Sequence, residues 1–386
     1  MTDVKALVDQ LLSDNDPTDR EAFMGAQWDM GLAWVHFPQG KGGLGLAPRV
    51  QHDIDAALDA ANAPLPRFVD VIGHGMGAPT LLEYGTPEQH ARYLKPLFTG
   101  EEIWSQLFSE PGAGSDVAGL ATRAIKDGDE WVVSGQKVWT TVAHLSKWGM
   151  MVARTDPDVP KHQGMTYFLM DMEADGVDIR PIRQITGEAE FNEVYMTDVR
   201  IPDANRIGGI GEGWRVALTT LMNERVAIGG TVGPRGSGAI SDLVNVYGDK
   251  GEGGSGRDRV MKLWTEAEAA RLTNLRAAHN RDAGTPGPEG STAKLHYAEL
   301  NKRIYELATE LLGAEGMLYD TYEFIQPETP DDIREDIRRR FLRTRANSIE
   351  GGTSEIMKNI IGERVLGLPG EPRVDKDLPW TQVPRS

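Results

Sequence analysis

Cysteine is absent from the 386 residues. That excludes disulfides, thiolate nucleophiles and thiolate metal ligands, and it leaves the redox compartment unreadable. Long apolar runs are missing too: no stretch approaches the roughly 20 residues that a membrane-spanning helix needs. The opening MTDVKALVDQLLSDNDPTDREAF is acidic and has no basic region followed by an apolar core, so a cytoplasmic protein without membrane association is expected. Positive charge is in short supply, with 41 Lys and Arg against 58 Asp and Glu and a net charge of −17. Such a surface repels nucleic acid and anionic lipid on average, while a local basic pocket for a phosphorylated cofactor stays possible. The eight histidines show no paired ligand spacing, so no metal site is expected. No glycine-rich loop ends in Gly-Lys-Ser/Thr and no serine sits in a G-x-S-x-G elbow. What is present, 40% hydrophobic and 26% charged residues, is an ordinary globular balance with material for two or three domains.

Periodicity divides the chain. VKALVDQLL, VQHDIDAALDAAN, PTLLEYG and PEQHARYLKPLF repeat apolar residues at three- and four-residue spacing, with HFPQGKGGLGLAP as a loop between them and Thr86-Pro87 as a helix start. Alternation then replaces helical spacing in EWVVSGQKVWTTV, GMMVART, TYFLMDM and EVYMTDVRI, punctuated by turn signals at Asp127-Gly128, Ser134-Gly135 and Asp175-Gly176. Helical spacing returns from WRVALTTLMNERVAI through SEIMKNIIGERVLG, interrupted by the glycine-rich loops GDKGEGGSGRD and AGTPGPEG. The expected fold is α+β and mainly α. It has an N-terminal helical domain (1–105), a central antiparallel β domain (106–207), a C-terminal four-helix bundle (208–370) and an aperiodic tail (371–386).

Four places carry chemical interest. LFSEPGAGSDVAG starts like a dinucleotide fingerprint but has Val117 at the third glycine position and no βαβ unit around it, so alone it reads as a glycine-rich turn between domains rather than as that fingerprint. On a helix from about Trp214, Glu224 has Thr220, Leu221, Ala227 and Ile228 as neighbours. A carboxylate on that face either pairs with a cation such as Arg225 or stays partly neutral with a raised pKa, the condition for a general base. Trp139 and Thr141 in KVWTT share one face of a strand, which is core or a surface for a flat, partly polar ring. IEGGTSEIM is a loop-to-helix junction whose N–H groups cap a helix or hold an anionic or carbonyl oxygen.

Taken together, these segments resemble the acyl-CoA dehydrogenase family from GLAWVHFP to ERVLGLPG. The resemblance implies a flavoprotein that binds FAD. Gln106, Phe108 and Ser109 would lie along the flavin ring, with Trp139 and Thr141 at its other side. Gly313, Thr353 and Glu355 would help to hold the pyrophosphate and adenosine portion, and ATELLGAEG would reach the flavin of a neighbouring subunit. Ser115, Arg225 and Gly351 fall on the substrate side. Many members place the catalytic glutamate immediately before the Gly-Thr of the last motif, where this chain has Gly351, and Glu350 comes one residue too early. Other members place it on the first long helix of the bundle just before an arginine, as in Glu224-Arg225, which makes Glu224 the implied base.

The implied reaction is α,β-desaturation of an acyl-CoA, with electrons passed to an electron-transfer flavoprotein. The implied assembly is a tetramer, either of one chain or of this chain with a homologue. The family's Arg-x-x-Phe-Gly segment is replaced here by VNVYGDKGEGGSGRDRV. Altered flavin segments also mark heteromeric members, some acting on bulky steroid-derived thioesters. A supporting subunit and a flavin oxidase are the competing readings.

Overall fold

The computed structural model describes residues 3–229, 232–250, 255–283, 289–321, 323–327 and 336–384. The chain divides into two compact units: Met1–Pro181, Phe191–Thr220 and Asp375–Ser386 form the first, and Ile182–Glu190 with Leu221–Val374 the second. The first unit begins with the helices that the apolar spacing predicts: α1 (Val4–Asp14), α2 (Arg20–Asp29), α3 (Val50–Ala60), α4 (Ala78–Tyr84) and α5 (Pro87–Thr99). Their starts follow from local chemistry. The Asp3 carboxylate accepts from the Ala6 N–H of α1, and Thr86 with Gln89 closes a capping box on α5, with Pro87 in its first turn. Val8, Leu11, Phe23, Leu32, Ile54 and Leu58 form the shared core of this region.

Strands β1 (Trp104–Leu107), β2 (Arg123–Asp127), β3 (Glu130–Thr141), β4 (Trp148–Arg154), β5 (Met165–Asp171), β6 (Val177–Pro181), β7 (Phe191–Pro202) and β8 (Arg206–Ile207) make one sheet. Its order is β6-β7-β3-β2-β4-β5-β8, with β1 beside β4. Most pairings are antiparallel, but β1 and β2 each meet β4 in parallel. The strands on either side of these contacts are distant in sequence, so a crossover rather than a hairpin sets their direction.

Gly128 (φ +62°) and Gly176 (φ +91°) sit at the turns expected of them. Ser134-Gly135, expected to turn, instead lies inside β3 at a register shift. There the backbone passes so close to Thr122 that a Cβ on residue 135 would come within 2.4 Å of the threonine hydroxyl.

Helix α6 (Gly213–Gly229) starts in the first unit, where the buried Thr220 hydroxyl lies 2.9 Å from that of Thr80 and 3.2 Å from that of Tyr167. The second unit continues with α7 (Ala239–Lys250), α8 (Ser255–Asp282), α9 (Glu289–Leu311), α10 (Ile337–Arg343) and α11 (Ser354–Ile360). Helix α9 is central and packs on α7, α8, α10 and α11 through Leu300, Ile304, Leu307 and neighbours. The loop expected over GDKGEGGSGRD is shorter than its glycine content suggests, because α7 runs through Lys250 and α8 starts at Ser255; residues 251–254 lie outside the described residues. Of AGTPGPEG, 284–288 also lie outside them. The last helical stretch is broken between α10 and α11, where Gly351 and Gly352 take φ of +62° and +91°. The tail from Asp375 belongs to the first unit. No helix among the described residues is long and apolar enough to cross a membrane.

Gly135→Ala is expected to cost about 1–3 kcal/mol, the usual range for overpacking against fixed atoms. A urea midpoint lowered at constant slope would show this.

Candidate functional site

The two expected flavin segments of the first unit are bonded to each other. The Val138 N–H donates to the Ser109 carbonyl at 2.9 Å. Beneath that contact lies Lys137, fully buried, whose ammonium donates to the Phe108 carbonyl (3.0 Å), the Glu110 carboxylate (2.8 Å) and the Val152 carbonyl (2.9 Å). Glu110 is buried as well and also accepts from the Ala121 and Thr122 N–H groups. Burial pushes its carboxyl up, but the lysine and the N–H donors prevail and hold it below the usual carboxylate range. Sequence reasoning misses this ion pair although a signal exists. Strand alternation from Trp131 and Val133 puts Lys137 on the inner face, and a lysine there demands a partner.

A second register shift, between Lys137 and Thr140, sets Trp139 apart. Its backbone is left-handed (φ +61°) and its indole is 58% exposed, touching Phe191 edge-on at 5.9 Å. The core reading of Trp139 is therefore not what the fold does with it. Thr140 is buried between Trp139 and the half-buried Thr141. Gln106 is half-buried on β1, Phe108 is buried edge-on to Tyr167 at 5.8 Å, and Ser109 is half-buried. Beyond Glu110 a tight turn closes onto Ala113, followed by exposed Gly114 and Ser115. A Cβ at Gly112 or Gly114 would meet nothing within 4 Å.

In the second unit, Glu224 is half-buried on α6, one turn after Thr220. The side chains of Arg225, Ala227 and Ile228 lie outside the described residues. Glu350, the other candidate carboxylate, is committed: Arg343 donates to both of its oxygens (3.1 and 3.0 Å) and Asn347 to one (2.7 Å). Arg343 also holds buried Glu190 at 2.8 Å. Burial works against this guanidinium, and the two carboxylates outweigh it, raising its pKa above the usual arginine value.

Buried Lys294 of α9 donates to the Asn347 and Gly352 carbonyls, fixing the 347–352 loop from below. Among the described residues the Gly351 N–H has no acceptor. Thr353 caps α11 by accepting from the Ile356 N–H at 3.1 Å, and Glu355 is exposed in the first turn. Gly313 (φ +60°) lies just past the far end of α9. Ser354, between Thr353 and Glu355, donates to Glu299 of α9 at 2.9 Å, and Glu299 and Leu311 are 12 residues apart on that helix, about 18 Å at the helical rise. The chain therefore does not gather Gly313 with Thr353 and Glu355.

Comparison with known proteins decides the family. The acyl-CoA dehydrogenase N-terminal, middle and C-terminal domains match residues 2–101, 105–199 and 211–366. The chain belongs to the acyl-CoA dehydrogenase family. It is 39% identical over 345 residues to acyl-CoA dehydrogenase IpdE1 of Mycobacterium tuberculosis, covering 88% of this chain and 86% of that one. It is 40% identical over 342 residues to FadE34 of the same organism, covering 88% of this chain but only 45% of FadE34's length. Among solved structures, the ChsE4-ChsE5 complex from M. tuberculosis aligns with a TM-score of 0.72 at 26% identity, covering 96% of this chain and 99% of that one.

The dehydrogenase is accordingly an oxidoreductase and a flavoprotein that uses FAD. Its residues fit that cofactor. An exposed indole on a strained strand suits a flat ring, and the open space over Gly313 admits a close backbone approach.

Lys137→Met would leave Glu110 buried without its cation, at an expected cost of about 3–5 kcal/mol near pH 7. In the native chain the depressed Glu110 carboxyl stabilises fully above its unfolded pKa and loses that contribution as pH falls through its folded pKa. In the variant, acid protonates the orphaned carboxyl and relieves the cost. Urea midpoints of the two proteins should therefore converge between pH 7 and pH 4; a constant gap would refute the pairing as the cause.

Proposed function

We propose that this dehydrogenase removes the α-proton of an acyl-CoA thioester with Glu224 and yields the trans-2-enoyl-CoA. The observation that carries the choice of base is the state of its rival. Both Glu350 oxygens are taken by Arg343, and a carboxylate that must gain a proton in turnover is poorly suited to be the standing counter-ion of a half-buried guanidinium. Glu224 lies on a helix in a half-buried setting, where a carboxyl can be tuned for proton transfer.

The Gly351 N–H would donate to the thioester oxygen and stabilise the enolate charge that forms as the proton leaves. Lys294 supports this role by tying up the Gly352 carbonyl, which keeps an acceptor away from the developing charge. Gln106, Phe108, Ser109, Trp139 and Thr141 would hold the flavin ring. Thr353 and Glu355 would hold the dinucleotide arm, and Ser115 and Arg225 the coenzyme A portion. When bound, FAD supplies the acceptor for the hydride that leaves the β carbon. Gly313, about 18 Å along α9 from the residue that holds Ser354, suits a role toward a neighbouring subunit, which supports a tetramer. An electron-transfer flavoprotein as acceptor and a cytoplasmic location belong to the same proposal.

The substrate reading extends to bulky, ring-bearing acyl groups, with this chain as the catalytic member of a heteromer. The relative ChsE4-ChsE5 is a complex of two chains. A cavity of about 460 Å³ in the second unit is lined by Trp264, Leu300 and Ile304 together with Thr273, Tyr297 and Asn301. That mixture of apolar walls and hydrogen-bonding groups suits an oxygenated ring system better than a straight chain.

The test is anaerobic bleaching of the bound flavin by straight, branched and ring-bearing acyl-CoAs. Glu224→Gln should slow bleaching by about 10²–10⁴-fold with flavin retained, and Glu350→Gln should keep most of the rate. Equal bleaching by wild type and Glu224→Gln would remove Glu224 as the base.

A further inference from the structure

The loop after β1 is gripped from outside the sheet by the end of the chain. Lys161, buried between β4 and β5 in sequence, bonds Asp116 of the loop at 2.8 Å and Asp375 of the tail at 2.5 Å. Further along, the Trp380 indole N–H donates to the Gly119 carbonyl at 3.2 Å, and its ring lies 5.0 Å from the Arg154 guanidinium. Arg154 is itself buried and donates to the carbonyls of Ala118 (2.6 Å), Leu120 (3.1 Å) and Lys161 (2.6 Å). The tail backbone is bonded too, Trp380 N–H to Val159 and Thr381 N–H to Pro157.

The 116–120 half of the loop is thus fixed at Asp116 and Gly119, whereas Gly112, Gly114 and Ser115 stay exposed. Burial tends to lower the Lys161 pKa, but the two carboxylates prevail and raise it, so the ammonium stays charged as the link between loop and tail.

We infer that residues 375–382 form a clasp that positions the 112–119 loop for its ligand, with Asp375 and Trp380 as positioning residues. The inference rests on the proposed function only in naming that ligand as the coenzyme A thioester. A segment that contributes no group to the chemistry sets how tightly the loop binds. Loosening it raises KM and leaves the proton transfer at saturation untouched.

The experiment uses the full chain with Trp380→Ala, Trp380→Phe and Asp375→Asn. Trp380→Ala and Asp375→Asn should raise KM for the acyl-CoA about three- to tenfold, the effect of one lost hydrogen bond, with kcat unchanged. Trp380→Phe keeps the ring over Arg154 and should fall between these and wild type. Unchanged KM, or a fall in kcat at constant KM, overturns the clasp.

Hydrogen exchange of the amides at 112–120 reads the clasp without turnover. It should speed up in Trp380→Ala more than exchange elsewhere in the sheet. Uniform acceleration marks a merely structural tail and also overturns the inference. If no thioester bleaches even the wild type, the functional reading fails, and the exchange result still decides the clasp.

Discussion

The entry to the first unit's glycine loop and the strand that carries Trp139 are tied together by one buried ammonium, that of Lys137. An ammonium withdrawn from water is tolerable only where an oxygen meets each of its hydrogens. The three oxygens around Lys137 belong to the exit of β1, the turn that begins the glycine loop, and β4. Satisfying one residue therefore fixes three stretches against one another. The position of Trp139 follows from the same constraint. Lys137 and Thr140 are both buried, and two inward residues three apart do not fit a strand of period two. One extra residue has to be accommodated between them, which the register shift supplies. Trp139 takes the left-handed conformation at that point and its ring is turned outward. The strain, of order 1–3 kcal/mol for such a conformation, is held in place by the ion pair beneath it.

The second unit repeats the device with different parts. Two glycines at positive φ would make the 351–352 turn loose on its own, since glycine carries the largest conformational entropy. Lys294 draws the carbonyls of Asn347 and Gly352 inward, and Arg343 draws in Glu350 from the preceding residue. With these acceptors turned toward cations, the N–H groups of Gly351 and Gly352 have no acceptor among the described residues. A chain with a net charge of −17 thus keeps cations where loops have to be held, at Lys137, Lys161, Arg154, Lys294 and Arg343.

Much of this is legible in the sequence, and what is not shares a physical character. Thr86-Pro87, the turns at Gly128 and Gly176, and the order of helical and alternating segments are set by neighbours within a few residues, so local patterns report them. Ser134-Gly135 looks like a turn because glycine after serine usually marks one. It is a close approach instead, dictated by Thr122 on another stretch of chain. Helix α7 is hidden by the glycines that follow it. The pairing of Lys137 with Glu110, of Lys294 with the glycine turn and of Lys161 with Asp375 joins residues 27 to more than 200 positions apart. Composition cannot show which partners meet. The tail, aperiodic and therefore silent, is ordered by contacts made with other segments.

The proposed location of the base follows the same logic of competing bonds. At position 351 the backbone is left-handed, so a side chain there would be strained, and glycine relieves that strain. One residue earlier, Glu350 lies within reach of Arg343, and the pair is further fixed by Asn347. Protonating Glu350 would remove one of the two carboxylates that hold Arg343, so the loop resists the very change of charge that a base has to undergo. A helix is held differently. Glu224 is carried by a long helix, α6, whose position is set by its own backbone hydrogen bonds. On the proposed reading the loop would serve as a donor, and the titrating group would be better placed on the helix.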